Sequence, residues 1–176
     1  PSDGSMMAVS LPFIVFDVDM EKVIAYEEED KGFAKAREKA IADGYELSGD
    51  DRWLSWHVGL RPNTFFSNCI RVLGIDGTDV RSLTYAEREA RRRVRQHIRF
   101  LRDYVPGFEK AYVGKTSEQI GIRDTRRIVG EETLTNDAAL ECEKRPQDTI
   151  LRCGGPIDNV NRGKGSVPKT WLEDDE

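Results

Sequence analysis

One amphipathic pattern restricts this chain more than any other feature: Leu83, Ala86, Ala90, Val94, Ile98, Leu101 and Val105 recur at steps of three and four. Residues so spaced fall on one side of an α-helix, which must bury that side against other elements. The pattern predicts one long helix, opened by a capping box of Thr84 and Glu87 and closed near Pro106-Gly107. Arg88, Arg91, Arg92, Arg93, Arg95, Arg99 and Arg102 occupy the other side. Arginine at this density can mark a nucleic-acid-binding helix. Here no aromatic residues are interleaved for base stacking, and the whole chain is acidic, with a net charge of -5. The expectation is a solvated or partner-facing helix and no nucleic-acid partner.

Around that helix the signals are shorter. Residues 11–19 are rich in β-branched and aromatic side chains and predict a strand. The acidic stretch 27–30 leads into Phe33, Ala36, Ala40 and Ile41 at helical spacing, with Asp30 as N-cap and Gly44 as stop. Residues 53–60 and 64–73 flank Arg61-Pro62-Asn63 and predict a β-hairpin; Asp76-Gly77 reads as a turn. Further strand pieces are expected at 112–120, 126–129 and 148–152, and Thr135 or Asn136 can cap a short helix running to 143. The order lacks the strand-helix alternation of a doubly wound sheet. The expected class is therefore α+β, with a mostly antiparallel or mixed sheet, one long amphipathic helix and one or two shorter ones. Residues 1–158 form the expected domain, and 159–176 a polar loop or tail.

Composition narrows the chemistry by exclusion. A chain of 176 residues with 38% hydrophobic, 9% aromatic and 34% charged residues fits one globular, soluble domain. No apolar run approaches the roughly 18–20 residues of a membrane helix, and no signal-peptide order opens the sequence, so no membrane partner is expected and localisation stays open. Cys69, Cys142 and Cys153 have neither disulfide-framework nor metal-ligand spacing, and His57 and His97 are the only histidines. Metal sites and His-based triads are thereby disfavoured. Gly163-Lys164-Gly165 lacks both a third glycine and a preceding apolar strand, so it is not a dinucleotide fingerprint.

The conspicuous segment is Gly121-Ile122-Arg123-Asp124-Thr125-Arg126-Arg127-Ile128-Val129-Gly130. In an extended backbone Arg123 and Arg127 share one face, while Arg126 shares the other with Ile122 and Ile128. That arrangement strands one guanidinium on an apolar face, a conflict that a bend near Asp124-Thr125 relieves. Guanidinium groups here can fork onto an anionic ligand, or can pin a turn by pairing with Asp124, Glu131 or Glu132.

This run, with Gln119-Ile120 before it and Glu131-Glu132-Thr133-Leu134-Thr135 after it, resembles the G-x-R-x-[ST]-R-R-I-x-G-x-x-x-L-T hallmark of a family of FAD-dependent oxidoreductases. In order along the chain, residues 68–79 resemble that family's N-x-x-R-V-x-x-x-D-G-T-D turn, Leu83-Thr84-Tyr85-Ala86-Glu87 its helix start, and Val105-Pro106-Gly107-Phe108-Glu109 its helix end. The likeness spans residues 3–168 and implies an inserted domain on the flavin's substrate side, whose parent transfers a hydride between FAD and a small substrate. It also implies that the phosphate-cradling Rossmann unit belongs to a separate flavin-binding domain of the parent, toward which residues 159–176 would lead, and that this chain alone neither retains FAD nor turns over. Arg123 and Arg127 become the candidate catalytic residues, and Arg126, Arg71 and His57 candidates facing substrate or flavin. The alternative is a non-catalytic anion-binding or protein-interaction domain derived from the same family.

Overall fold

In a computed structural model, which describes residues 6–47, 56–126, 128–135 and 138, the chain runs β1 (Val9–Ser10), β2 (Phe13–Phe16), α1 (Met20–Glu29), a 3-10 turn (Lys31–Phe33), α2 (Ala34–Ala42), β3 (Trp56–Val58), β4 (Phe65–Ser67), β5 (Arg71–Val72), α3 (Val80–Tyr104) and β6 (Tyr112–Thr116). Strands β3, β4, β2 and β6 form one sheet in that order, and β1 pairs with β5 in a second; every pairing is antiparallel. The class is α+β. The expected hairpin is present as β3 and β4, with Val58 opposite Phe65 and Asn63 in the left-handed region at its turn (φ 59°), but the second run expected over 64–73 breaks after Ser67, and Arg71–Val72 becomes β5 of the other sheet.

The apolar stripe forms α3, whose 25 residues reach about 37 Å. Its buried side holds Ala86, Ala90, Val94 and Leu101 as expected, together with His97 and Phe100, while Leu83 and Ile98 are only partly buried. The predicted capping box is not what opens this helix. Asp79 does so, accepting from the Ser82 N–H at 2.8 Å. Thr84, one turn inside, donates its hydroxyl to the Val80 carbonyl (2.7 Å). A Thr-x-x-Glu spacing lies inside this helix as readily as at its end, and the aspartate one turn earlier wins the N-cap.

Helix α1 was not anticipated. Asp19 caps it, accepting from the Lys22 N–H at 3.3 Å, yet only Val23 is buried. One buried position in ten residues leaves almost no 3.6-residue signal for a sequence to display. Phe33, not the expected Asp30, is the N-cap residue of α2, yet Asp30 serves its first turn from three residues upstream, Oδ1 accepting from the Lys35 N–H and Oδ2 from the Ala36 N–H, each at 2.9 Å. The chain between α1 and α2 turns through Gly32 (φ 63°) and Phe33 (φ 57°). A left-handed phenylalanine is strained, and Phe33 is held there by full burial between Tyr26 (6.2 Å, stacked), Trp56 (6.1 Å, stacked) and Phe108 (6.5 Å, edge-on).

Two expected strands differ. The ladder predicted over 112–120 stops at Thr116, and no strand forms over the described residues of 126–129, where Ile128 and Val129 are exposed. The Ala138 N–H donates to Thr135 Oγ1 (3.2 Å), the geometry of the expected cap. The rest of that helix, the strand at 148–152 and the tail at 159–176 lie outside the described residues.

His97 is 4% exposed and donates from Nδ1 to the Arg93 carbonyl at 3.1 Å. Burial lowers its pKa to about 4 from 6.5, against the opposing pull of that hydrogen bond. The unfolded chain therefore takes up this proton first. Stability is full above about pH 6.5 and declines as pH falls toward 4, by about 3 kcal/mol once both states are protonated. Urea unfolding at about pH 7.5 and about pH 4.5 should show this loss. A His97→Leu variant should lose most of that pH dependence; an equal decline in both proteins would count against the assignment.

Candidate functional site

The conspicuous segment is held in place by α3. Beyond β6, Arg91 donates from Nη1 to Thr116 Oγ1 (2.7 Å) and from Nη2 to the Glu118 carbonyl (3.2 Å). Glu87, ion-paired to the same Arg91 at 2.9 Å, accepts from the Ile120 N–H at 2.6 Å. These contacts deliver Gly121 to β1, where it exchanges two backbone hydrogen bonds with Ser10 (3.0 and 2.7 Å). A third contact works from the other side. Arg93 donates to the Arg71 carbonyl, tying β5 to the same helix while its own Nε rests on Glu89 (2.7 Å). Held first by Arg92 and also by Arg93, the Glu89 carboxyl drops to a pKa of about 2.

Ser10 thus pairs with Arg71 on one side and with Gly121 on the other. Directly opposed residues in an antiparallel pair point to the same face. The Gly121 Cβ position faces Ser10, with Oγ 3.4 Å away. Arg123 follows two residues later, the step that returns a side chain to the face of its start. Arg71, half-buried, sits opposite Ser10 on β5, and Arg123, exposed, follows two residues after the Gly121 that pairs with Ser10; each arginine interacts with a neighbouring group.

Next along the chain, Asp124 Oδ1 accepts from the Met7 N–H at 2.7 Å, and the chain bends at Thr125. The bend therefore falls where the conflict of parity required it. It packs against the Asp76-Gly77 turn: a Cβ on Gly77 would lie 2.5 Å from Thr125 Cγ2 and 3.0 Å from Ile122 Cγ2. A side chain there would push those methyl groups aside, so glycine permits the close approach. The turn is stiffened by Asp76, which accepts from the Thr78 N–H (2.8 Å) and hydroxyl (2.7 Å). Those hydrogen bonds hold its carboxyl below the usual carboxylate range, the hydroxyl's contribution being the larger.

Arg126 is exposed, and Arg127 lies outside the described residues. His57 is exposed on β3, the outer strand of the other sheet, where it stacks on Phe66 at 6.2 Å. The candidates thus separate: Arg71 and Arg123 share the β1 neighbourhood, and His57 belongs to a different sheet. Around the arginines the surface is unexpectedly apolar, with Ile128 94% and Val129 102% exposed and Ile122 and Leu134 also in solvent. Such a surface, cationic and apolar at once, can receive an anion-bearing planar group or an apolar partner.

Sequence reasoning missed Ser10, Met7 and Glu87 as supports of this segment. Glu87 carried a helix-capping signal that its partner, Ile120, has displaced. Ser10 and Met7 act through backbone groups, which no residue type announces.

A sequence model of one protein family, described as FAD dependent oxidoreductase, matches residues 6–175. No curated protein and no solved structure gives a significant match.

The support from α3 is directly testable. In a Glu87→Ala variant the Ile120 N–H loses its acceptor and Arg91 its partner. Amide hydrogen exchange at Ile120 and Gly121 should accelerate, with a loss of about 1–2 kcal/mol in global stability. Unchanged exchange at both amides would show that Glu87 does not hold the segment.

Proposed function

The chain belongs to the family of FAD-dependent oxidoreductases, and we propose that it forms the substrate-side domain of such an enzyme, one that passes a hydride between FAD and a small substrate. The observation that carries this reading is the exposure of Ile122, Ile128 and Val129 in the same run as Arg123, Arg126 and Arg127. Ile128 and Val129 adjoin and lie almost wholly in water, and exposed apolar surface beside charged groups is a mark of an interface. A flavin-binding domain of the same parent would cover it and bring the flavin and substrate to the arginines.

These residues do not fit the pyrophosphate of FAD. A dinucleotide is held at an open helix N-terminus behind a glycine-rich turn. Each described helix N-terminus is instead occupied by an aspartate carboxylate of this chain: Asp19 at α1, Asp30 at α2 and Asp79 at α3. The connection from β2 to α1, Asp17-Val18-Asp19, contains no glycine. A phosphate approaching any of these ends meets like charge. The cradle accordingly belongs to another part of the parent, and what this chain contributes is guanidinium charge and a surface that excludes water.

An arginine in that position stabilises negative charge that develops on the reacting partners as the hydride moves, because its own charge is permanent and already oriented. Arg123 is favoured by following two residues after Gly121, which pairs with Ser10, and Arg127 by its place in the same motif. Arg71, tied to α3 through its carbonyl, positions β5 and can supply a second positive charge.

Two outcomes are expected. Purified as it stands, the chain should carry no visible flavin absorbance; a stoichiometric flavin spectrum would overturn the assignment of the cradle to another domain. In the full-length parent, Arg123→Ala and Arg127→Ala should each slow flavin reduction by substrate, by roughly 100-fold for a direct electrostatic contact, with little change in melting temperature. Reduction rates equal to the unsubstituted enzyme would reduce these arginines to structural roles.

A further inference from the structure

Away from the arginine segment, the C-terminal ends of α2 and α3 converge on an open cavity lined by Tyr26, Lys39, Asp43, Tyr45, Asp103 and Tyr104. The rings of Tyr45 and Tyr104 stand nearly perpendicular, at 83°, with centroids 5.3 Å apart. Their hydroxyls are committed in a crossed pattern: Tyr104 donates to Asp43 Oδ2 at 2.7 Å, and Tyr45 donates to Asp103. Both phenols are thereby kept neutral. The hydrogen bond to Asp43 pushes Tyr104 up to about 12, and that to Asp103 raises Tyr45. Walls of neutral aromatic rings thus stand beside two carboxylates.

The backbone adds charge of the same sign. Asp43 is the C-cap of α2 and Tyr104 the last residue of α3, so the negative ends of two helix dipoles meet at this spot. One cation is already attracted there: Lys39 Nζ lies over the Tyr104 ring, 6.0 Å from its centroid. Arg99 is close enough to act against the rise in Tyr45, so Lys39 and Arg99 balance Asp43 and Asp103. Displacing Lys39 leaves the cavity negative.

We propose that this cavity binds an organic cation, a methylated ammonium group, which takes the place of Lys39 on the Tyr104 ring. Aromatic faces favour cations that shed water cheaply, and methylation lowers the hydration of an ammonium without removing its charge. A metal ion suits the cavity poorly, because each carboxylate already accepts a phenol hydroxyl and no group of three or more metal-ligating side chains assembles among the described residues. The proposal is independent of flavin and of the arginine segment.

The test is a titration of the chain with tetramethylammonium chloride, followed by NMR at the Tyr45 and Tyr104 rings, with sodium chloride at matched ionic strength as control. Saturable shifts at both rings with the ammonium salt alone are expected. Lys39→Met, an exposed position, should tighten binding several-fold by vacating the ring, a change that a purely structural pair of tyrosine-aspartate hydrogen bonds would not produce. Tyr104→Leu should weaken it about tenfold; should that variant not fold, the Lys39→Met comparison decides. Choline and trimethyl-lysine amide in parallel distinguish a small amine from a modified side chain by which binds tighter. Shifts no larger than those with sodium chloride, or no tightening in Lys39→Met, would overturn the proposal.

Discussion

Helix α3 can exist only if its apolar stripe is covered, and most of the described structure is arranged to cover it. Ala86, Ala90, Val94 and Leu101 are small or branched enough for close approach by α2 and β5, and the large rings that fill the remaining volume, Phe33, Phe65 and Phe108, come from a 3-10 turn, from β4 and from the segment after α3. Burial of this kind has no direction of its own. Direction comes from the polar residues on the helix flanks, where Glu87, Arg91 and Arg93 each hydrogen-bond a specific strand or connection.

Those flank contacts explain how a helix on one side of the molecule organises a site on another. Arg93 holds β5, Arg91 holds the end of β6, and Glu87 holds the residue before Gly121. β1 lies between β5 and Gly121, so the two elements fixed by α3 meet on either side of Ser10. The arginine segment consequently leaves the core at a defined place and exposes Ile122, Ile128, Arg123 and Arg126. The aspartate carboxylates at the described helix starts make those ends inhospitable to phosphate.

Local signals were legible wherever one residue acts on its near neighbours in sequence. The stripe of α3, the hairpin around Asn63 and the bend at Thr125 all belong to this kind, because period and turn preference operate within a few residues. The misreadings have one origin. Thr84 and Glu87 satisfy a capping pattern locally, yet Asp79 caps the helix and Glu87 finds Ile120; the stretch around Ile128 and Val129 has strand-like composition, yet no described strand lies beside it. Helix α1 escaped notice because most of its residues face solvent, so no apolar period marks it.

The amino-acid sequence alone determined the α+β class, the long helix, the family and the identity of the arginines, since these follow from periodicity and from an ordered motif. Only the tertiary structure decided that Arg71 and Gly121 flank Ser10, that His57 stands apart on another sheet, that His97 is buried and neutral, and that Tyr45 and Tyr104 wall a cavity with Asp103 and Asp43. Each of these depends on backbone pairing or burial between segments remote in the chain. Residue type states what a side chain can do, whereas its neighbours across such distances are set by how the whole core closes around α3.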